Sequence, residues 1–373
     1  MNDIEIGLGK RGRSALSFDD IAIAPSRRTR APELVSTAWQ IDAYRFDTPI
    51  VAAPMDSVVS PETAIAVGRL GGLGVLNLEG LWTRYEDPSA AYEEIGKLPE
   101  LQANARMQQL YSQPVQPDLI VERIGQIRAS GVAVAGALSP NRVTELAPIV
   151  TRAGVDLFVI RGTTVSAEHV SAEDDALNLK DFIYTLDAPV IVGGVATYRA
   201  ALHLMRAGAA GVLVGFGGGA SHTTADVLGV RVPMATSVAD VSAARRDYMD
   251  ESGGRYVHVI ADGGLGTSGD IVKAVAVGAD AVMLGAALAR ATDAPGRGYH
   301  WGAEAHHGEL PRGARVEVGS VASLEEVLFG PSRQPDGTTN LMGALRRAMA
   351  TTGYTDVKEL QRIDVVVSPH RPS

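Results

Sequence analysis

A glycine-rich segment near the middle of the chain carries residue types that could do chemistry. Residues 214–224 read Val-Gly-Phe-Gly-Gly-Gly-Ala-Ser-His-Thr-Thr. The run Gly217-Gly218-Gly219 suits a backbone nest for an anion or carbonyls around a monovalent cation. His222 can serve as an acid or base because imidazole titrates near neutral pH, or it can stack on a base or lie inert. Thr223 and Thr224 supply hydroxyls or cap the helix that follows.

A second candidate segment pairs a carboxylate with a glycine turn. Asp262-Gly263-Gly264 follows an apolar run, and Ser268 opens the next helical stretch. A carboxylate accepts hydrogen bonds from paired hydroxyls such as those of a ribose, while N–H groups at a glycine turn and helix start suit a phosphate. Gly285 ends the next apolar run and joins the same candidate phosphate site. The alternative is that Asp262 only stabilises its own turn.

The sequence lacks the motifs of several other common enzyme classes. The sequence contains no His-Glu-x-x-His string, no Gly-x-x-x-x-Gly-Lys-Ser/Thr phosphate loop and no Gly-x-Ser-x-Gly elbow. His306 and His307 are adjacent, so they cannot share one helical face as a zinc pair does. The absence of cysteine excludes disulfides, thiolate metal sites and a cysteine nucleophile.

Composition narrows the class of protein. The 373 residues carry a net charge of −9 with 46% hydrophobic residues. An acidic chain argues against a nucleic-acid partner, which would need a basic field. The N-terminus has no apolar signal run and no segment is apolar enough to span a membrane, so we expect a cytoplasmic protein without membrane association.

The elements that position these residues alternate between strands and helices. Short Val/Ile/Leu-rich runs bounded by Gly, Pro or Asp are typical of strands buried on both faces. Eight are predicted, at 50–53, 73–76, 132–135, 156–160, 190–193, 211–214, 257–260 and 281–284. With helical spacing between them, they predict an α/β protein: one (β/α)₈ TIM barrel spanning residues 1–373 as a single domain. A doubly wound open sheet is the alternative.

Two segments depart from the strand and helix rhythm. Residues 83–126 look like a small helical elaboration of one loop. Residues 290–324 form a long connection after the eighth strand, which would lie over the catalytic face of a barrel. Loops of such length in a compact domain are usually functional or mobile.

Several motifs together resemble one enzyme family. Residues 16–21 (Leu-Ser-Phe-Asp-Asp-Ile) are similar to the Leu-Thr-Phe-Asp-Asp-Val opening of IMP dehydrogenases, and residues 53–58 (Ala-Pro-Met-Asp-Ser-Val) resemble their Ala-Ala-Met-Asp-Thr-Val segment. The glycine-rich loop, residues 260–269, Val-Met-Leu-Gly at 282–285 and Gly-Ala-Leu-Arg at 343–346 follow in the family's order. The chain thus resembles the IMP dehydrogenase/GMP reductase family over nearly its whole length. Because the family's regulatory CBS pair is missing where residues 83–126 stand, it resembles the CBS-less, IMP dehydrogenase-related branch.

The resemblance implies roles for particular residues. Asp262 would hold the ribose hydroxyls of a purine mononucleotide and Met55 would pack near its base. Its 5′-phosphate would lie at the turn of residues 263–264 and at Gly285-Ala286. Carbonyls of Gly217, Gly219 and His222 would surround a potassium-like ion. NAD or NADP is the implied cofactor, and a homotetramer the implied assembly.

The chain departs from the family where the chemistry takes place. His222 stands at the position of the cysteine that forms a covalent purine adduct, and an imidazole does not replace a thiolate in that role. Arg161 stands where the family has an aspartate for the dinucleotide's ribose. Gly194 replaces an asparagine, Ala286 replaces a phosphate-binding serine, and Arg312 replaces a purine-reading glutamate.

These observations lead to one expected function and two alternatives. We expect a purine-mononucleotide-binding member (IMP, GMP or XMP) of this oxidoreductase family, within purine metabolism and GMP biosynthesis, that lacks covalent cysteine chemistry. The first alternative is a non-catalytic nucleotide sensor or regulatory partner of an active paralogue. The second is an enzyme with altered chemistry, in which His222, together with Thr224, acts on a different and more anionic ligand recognised by Arg161 and Arg312.

Overall fold

The fold is taken from a computed structural model that describes residues 3–25, 27–169, 177–216, 218–306 and 313–368. Its strands are β1 (Asp3–Gly7), β2 (Lys10–Arg13), β3 (Ile21–Ile23), β4 (Trp39–Ile41), β5 (Tyr44–Phe46), β6 (Ile50–Ala52), β7 (Leu73–Asn77), β8 (Ala135–Leu138), β9 (Leu157–Arg161), β10 (Val190–Val195), β11 (Gly211–Val214), β12 (His258–Asp262), β13 (Ala281–Leu284), β14 (Tyr299–His300), β15 (Val316–Glu317) and β16 (Val365–Val367).

Helices alternate with these strands along most of the chain. They are α1 (Pro61–Arg69), α2 (Ser89–Lys97), α3 (Glu100–Tyr111), α4 (Pro117–Ala129), α5 (Val143–Ala153), α6 (Leu179–Tyr184), α7 (Tyr198–Arg206), α8 (Thr224–Leu228), α9 (Met234–Glu251), α10 (Ser268–Ala276), α11 (Ala286–Ala289), α12 (Ala303–His306), α13 (Leu324–Phe329), α14 (Leu341–Thr352) and α15 (Val357–Leu360). Within the described ranges, no helix is both long and apolar enough to cross a bilayer.

Eight parallel strands, β6 to β13, close into a barrel in chain order. The barrel closes where Val282 of β13 pairs with Ile50 of β6. Valine, isoleucine and leucine dominate these strands, and all six residues of β10 are buried, as expected for strands packed on the barrel interior and on the surrounding helices. The predicted (β/α)₈ barrel is confirmed, and the open-sheet alternative is wrong.

The third barrel strand lies later than predicted. The sequence placed it at 132–135, whereas β8 spans Ala135–Leu138. Residues 132–138 are a continuous apolar run, so hydrophobicity does not mark where the strand begins. Val132 instead packs against α1, where a Cβ added to Gly68 would lie 2.6 Å from the Val132 Cβ.

A glycine ends the helix that precedes β9. Gly154 ends α5 in the left-handed conformation, with φ of 88°, and its N–H returns to the carbonyl of Val150. A glycine adopts this conformation without a Cβ clash, so the chain can turn sharply into β9.

Two segments outside the regular repeat approach each other at one end of the barrel. The stretch 83–126 contains α2, α3 and most of α4, and α4 packs against α1 and α5 in the outer ring. The connection 290–324 contains β14, α12 and β15, and α12 contacts α3. We call α2 and α3 the helical insert.

A buried charge network holds the opposite end of the barrel together. Asp280 precedes β13 and is 1% exposed, and its carboxylate accepts hydrogen bonds from Arg245 at 2.8 Å and from the Val259 N–H at 2.8 Å. Burial alone would raise the pKa of Asp280, but Arg245 and Lys358 hold it at about 2. Charges at the amino-terminal end of a barrel contribute to stability rather than to catalysis.

Candidate functional site

A cavity of about 1500 Å³ opens at the carboxyl ends of the barrel strands. This is the end at which barrel enzymes carry their active sites. Most of the predicted site residues line it, namely Met55, Arg161, Gly219, His222, Asp262, Gly263, Gly264, Gly285 and Ala286. Gly217 and Arg312, together with His307, lie outside the described residues.

Met55, Gly285 and His300 form one closely packed side of the cavity. Met55 is 4% exposed, and a Cβ added to Gly285 would lie 3.3 Å from its sulfur and 3.1 Å from the ring of His300. The Nδ1 of His300 lies 3.0 Å from the hydroxyl of Ser57. Burial, together with the nearby His222 and Arg161, lowers the pKa of His300 to about 3. His300, which the sequence did not single out, is therefore a neutral hydrogen-bonding group at neutral pH.

The two glycine loops that follow β11 and β12 pack backbone against backbone. A Cβ added to Gly218 would lie 3.5 Å from the Gly264 nitrogen, and one added to Gly263 would lie 3.5 Å from the Gly219 nitrogen. Gly263 and Gly264 also have φ values of 102° and 68°, which favour glycine. The glycines therefore bring two sets of backbone polar groups together at the cavity wall.

Asp262 is paired with Arg161 across the mouth of the barrel. The Nε of Arg161 donates to the Asp262 carboxylate at 3.2 Å, and the two side chains are 19% and 12% exposed. Burial alone would lower the pKa of Arg161, but Asp262 and Glu304 raise it. The carboxylate predicted to receive a ribose is thus already engaged by a guanidinium.

His222 faces a carboxylate that the sequence did not reveal. Its Nδ1 lies 3.3 Å from Glu304, and Thr163 donates to the same carboxylate oxygen at 3.0 Å. Burial would raise the pKa of Glu304, but His222 and Arg161 hold it well below its usual range. Glu304 is therefore ionised, and it comes from α12, more than 80 residues away from His222 in sequence, so no local motif connects the two.

Two predicted residues do not line the cavity. Thr224 is the first residue of α8 and is 1% exposed. Gly194 in β10 is also buried, and a Cβ there would lie 2.5 Å from the Gly215 carbonyl. The tight contact explains why a side chain does not fit at position 194 in this barrel.

The cavity continues into a polar compartment formed by the loops after β7 and β8. Glu79 accepts the hydroxyl of Ser139 at 3.0 Å, and Arg84 donates through Nε to the Glu79 carbonyl at 3.0 Å. Arg142 lines the same compartment. The sequence does not reveal this part of the site, because its residues carry no recognisable spacing.

The chain is similar to known proteins over most of its length. Residues 15–308 match the model of the IMP dehydrogenase/GMP reductase domain. The chain belongs to the IMP dehydrogenase/GMP reductase family. An uncharacterised oxidoreductase of Mycolicibacterium smegmatis is 52% identical over 372 residues, covering 98% of this chain and 99% of that protein. The inosine-5′-monophosphate dehydrogenase of Methanocaldococcus jannaschii is 26% identical over 474 residues, covering 94% and 91%.

A solved family structure has the same fold. The crystal structure of an IMP dehydrogenase/GMP reductase-like protein from Corynebacterium glutamicum aligns with a TM-score of 0.93 and 50% sequence identity, covering 98% of this chain and 97% of that one. Membership of the IMP dehydrogenase/GMP reductase family, expected from the motifs, is thereby confirmed.

The residues at the site fit the cofactors that the family resemblance implies only in part. Arg161 is a cation paired with Asp262, whereas a dinucleotide ribose held as in the family would need a carboxylate acceptor at position 161. The residue present does not fit that contact. For a potassium-like ion, the Gly219 carbonyl already accepts the His222 N–H at 3.1 Å, and the remaining predicted carbonyl contact, from Gly217, lies outside the described residues.

Proposed function

We propose that this protein binds a purine mononucleotide and belongs to the part of its family that does not form a covalent thiolate adduct. The observation that carries this proposal is the convergence of Met55, Asp262, Gly264 and Gly285 on one cavity at the carboxyl ends of the strands. Pockets for drug-sized ligands enclose about 300–1000 Å³, so the cavity has room for a mononucleotide.

Each of these residues has a distinct task in the proposal. Met55 packs against the base, since its thioether adapts to flat apolar surfaces. Asp262 accepts the ribose hydroxyls once Arg161 releases it. Backbone N–H groups at Gly264 and at Gly285-Ala286 donate to the phosphate, because glycine turns let an anion approach the backbone closely.

The reacting position distinguishes this chain from adduct-forming relatives. The sequence has no cysteine, and His222 is held beside the ionised Glu304. An imidazole paired with a carboxylate transfers protons well, but it does not provide the thiolate on which the purine adduct depends. We therefore propose that the nucleotide binds without a covalent link, and that NAD-dependent oxidation of IMP does not take place.

Mass spectrometry and absorbance test this proposal together. Purified protein is incubated with IMP and NAD, and intact mass is measured under native and denaturing conditions while NADH is followed. The expected result is a nucleotide complex that survives only native conditions, with no NADH formed. Robust oxidation of IMP by NAD would refute the proposal.

A second candidate function is an enzyme that uses His222 as a proton-transfer group. The contact between His222 and Glu304, with Thr163 on the same oxygen, favours it, because a carboxylate that orients an imidazole is a recurrent arrangement in acid–base catalysis. For any turnover found, His222→Ala should abolish it and His222→Cys should not restore it. Full turnover in His222→Ala would exclude this candidate.

A further inference from the structure

The helical insert and the chain after β13 share an apolar core separate from the barrel. Its buried members are Leu81, Ala91, Tyr92, Ile95, Met107, Leu110, Tyr111, Trp301 and Ala305. Trp301 and Ala305 lie on either side of Glu304 in sequence, and Trp301 is 2% exposed. The insert therefore packs directly on the segment that carries Glu304 to His222.

Tyr111, the last residue of α3, forms the polar centre of this contact. Its hydroxyl donates to the Asp56 carboxylate at 2.5 Å and accepts the indole N–H of Trp301 at 2.9 Å. Asp56 follows Met55 directly and is 2% exposed. A buried hydroxyl that joins a carboxylate to an indole fixes both, because either partner alone would be left unsatisfied.

The ring of Tyr111 holds the other end of the same segment. It stacks on the ring of His306 with centroids 3.6 Å apart and planes 4° from parallel. Tyr111 and His306 both line the cavity. One tyrosine thus contacts residues 301 and 306, the two ends of the short stretch that contains Glu304.

Further hydrogen bonds tie the insert to the chain on the far side of α12. Arg315 donates to the carbonyls of Leu98, at 2.8 Å, and of Ile95. The Asn104 amide donates to the Gly313 carbonyl at 3.0 Å. The insert is therefore attached to this segment both before and after Glu304.

From these contacts we infer that the helical insert helps to form the functional site. In this role Tyr111 is a positioning residue: it holds residues 301–306 so that Glu304 contacts His222 at the ligand cavity. The expected effect of Tyr111 on nucleotide binding rests on the proposed function. The expected effect of Tyr111 on the order of residues 301–306 does not depend on any ligand.

Tyr111→Phe tests the inference, with Tyr92→Phe as its matched control. Tyr92 lies in the same apolar core and its hydroxyl donates to the Asp56 backbone carbonyl at 2.9 Å, but it does not line the cavity. Each variant removes one buried hydroxyl, so both should lower the thermal midpoint to a similar extent. Only Tyr111→Phe should speed hydrogen exchange in residues 301–306 and weaken binding of IMP, GMP or XMP, by about tenfold.

The exchange and binding measurements separate the two proposals. If Tyr111→Phe leaves exchange in residues 301–306 at the level of Tyr92→Phe, the inference is overturned whatever the ligand result. If the wild type binds none of the three nucleotides but Tyr111→Phe loosens residues 301–306, the proposed function fails and the positioning role of Tyr111 is supported. Equal affinity in the two variants, with binding by the wild type, would also overturn the inference.

Discussion

Removing the Arg161 guanidinium should tighten nucleotide binding. Arg161 donates to Asp262 at 3.2 Å, so a ribose that needs the same carboxylate must displace it. Arg161→Met keeps an unbranched side chain of similar length and removes the competing donor. The variant therefore frees Asp262 without a large change in packing.

The size of the effect follows from the pair's geometry and burial. A hydrogen bond to a charged group contributes about 1.5–3 kcal/mol. The lower part of that range applies here, because both side chains face the open cavity and retain exposures of 19% and 12%. A gain of about 1.5 kcal/mol corresponds to a Kd that is lower by roughly tenfold. Folding stability should fall at the same time, since Asp262 and Glu304 lose the cation between them.

Isothermal calorimetry with IMP, GMP and XMP measures this effect. Arg206→Met is the matched control, because it removes the same charge from an exposed ion pair with Glu251, and neither residue lines the cavity. The control should bind as the wild type does. Weaker binding by Arg161→Met would show that Arg161 does not compete with the ribose for Asp262, and that the guanidinium contacts the ligand itself.

Three other perturbations have expected outcomes that follow from single sites. Asp280→Asn should cost about 3–5 kcal/mol of unfolding free energy in denaturant melts, because it leaves Arg245 buried without its carboxylate; a loss below 1 kcal/mol would contradict this. Burial raises the pKa of Asp56 from 3.8 to about 6 despite opposing hydrogen bonds. Between these two values the folded protein keeps a proton on Asp56 that the unfolded chain has released. The Asp56 contribution to the free energy of unfolding should thus fall by about 2–3 kcal/mol as pH rises from 4 to above 6. In parallel melts, the stability of the wild type relative to Asp56→Asn should fall by that amount; identical pH profiles would argue against it. His222→Cys should not gain NAD-dependent IMP oxidation in an absorbance assay, because Arg161 remains paired to Asp262; NADH formation would show that the thiol alone was missing.

The barrel could be predicted from the sequence because its strands are much more hydrophobic than the segments between them. Seven of the eight predicted runs overlap the observed strand by three residues or more, and turn glycines such as Gly154 mark the helix ends. The third strand was misplaced because the apolar run around it is longer than the strand. Where hydrophobicity continues past an element, only tertiary pairing sets its ends.

The site could be predicted only where its residues follow strands. Asp262 and Gly285 lie at the carboxyl ends of their strands, and all of these ends lie on one face of a barrel, so the two residues could be expected to lie close together. Glu304, His300 and Tyr111 were missed because they reach the cavity through packing between the helical insert and a long connection. No periodicity links Tyr111 to Trp301, and their hydrogen bond exists only in the folded chain.

The proposed mononucleotide site is best tested by calorimetric titration of the purified protein and of Asp262→Asn with IMP, GMP and XMP in potassium buffer. Asp262→Asn replaces the carboxylate proposed to accept the ribose hydroxyls, while an amide of the same shape keeps the packing. We expect micromolar binding of at least one nucleotide by the wild type and a loss of affinity of at least tenfold in the variant. Absence of binding to all three by the folded wild type, or equal affinity in Asp262→Asn, would contradict the proposal.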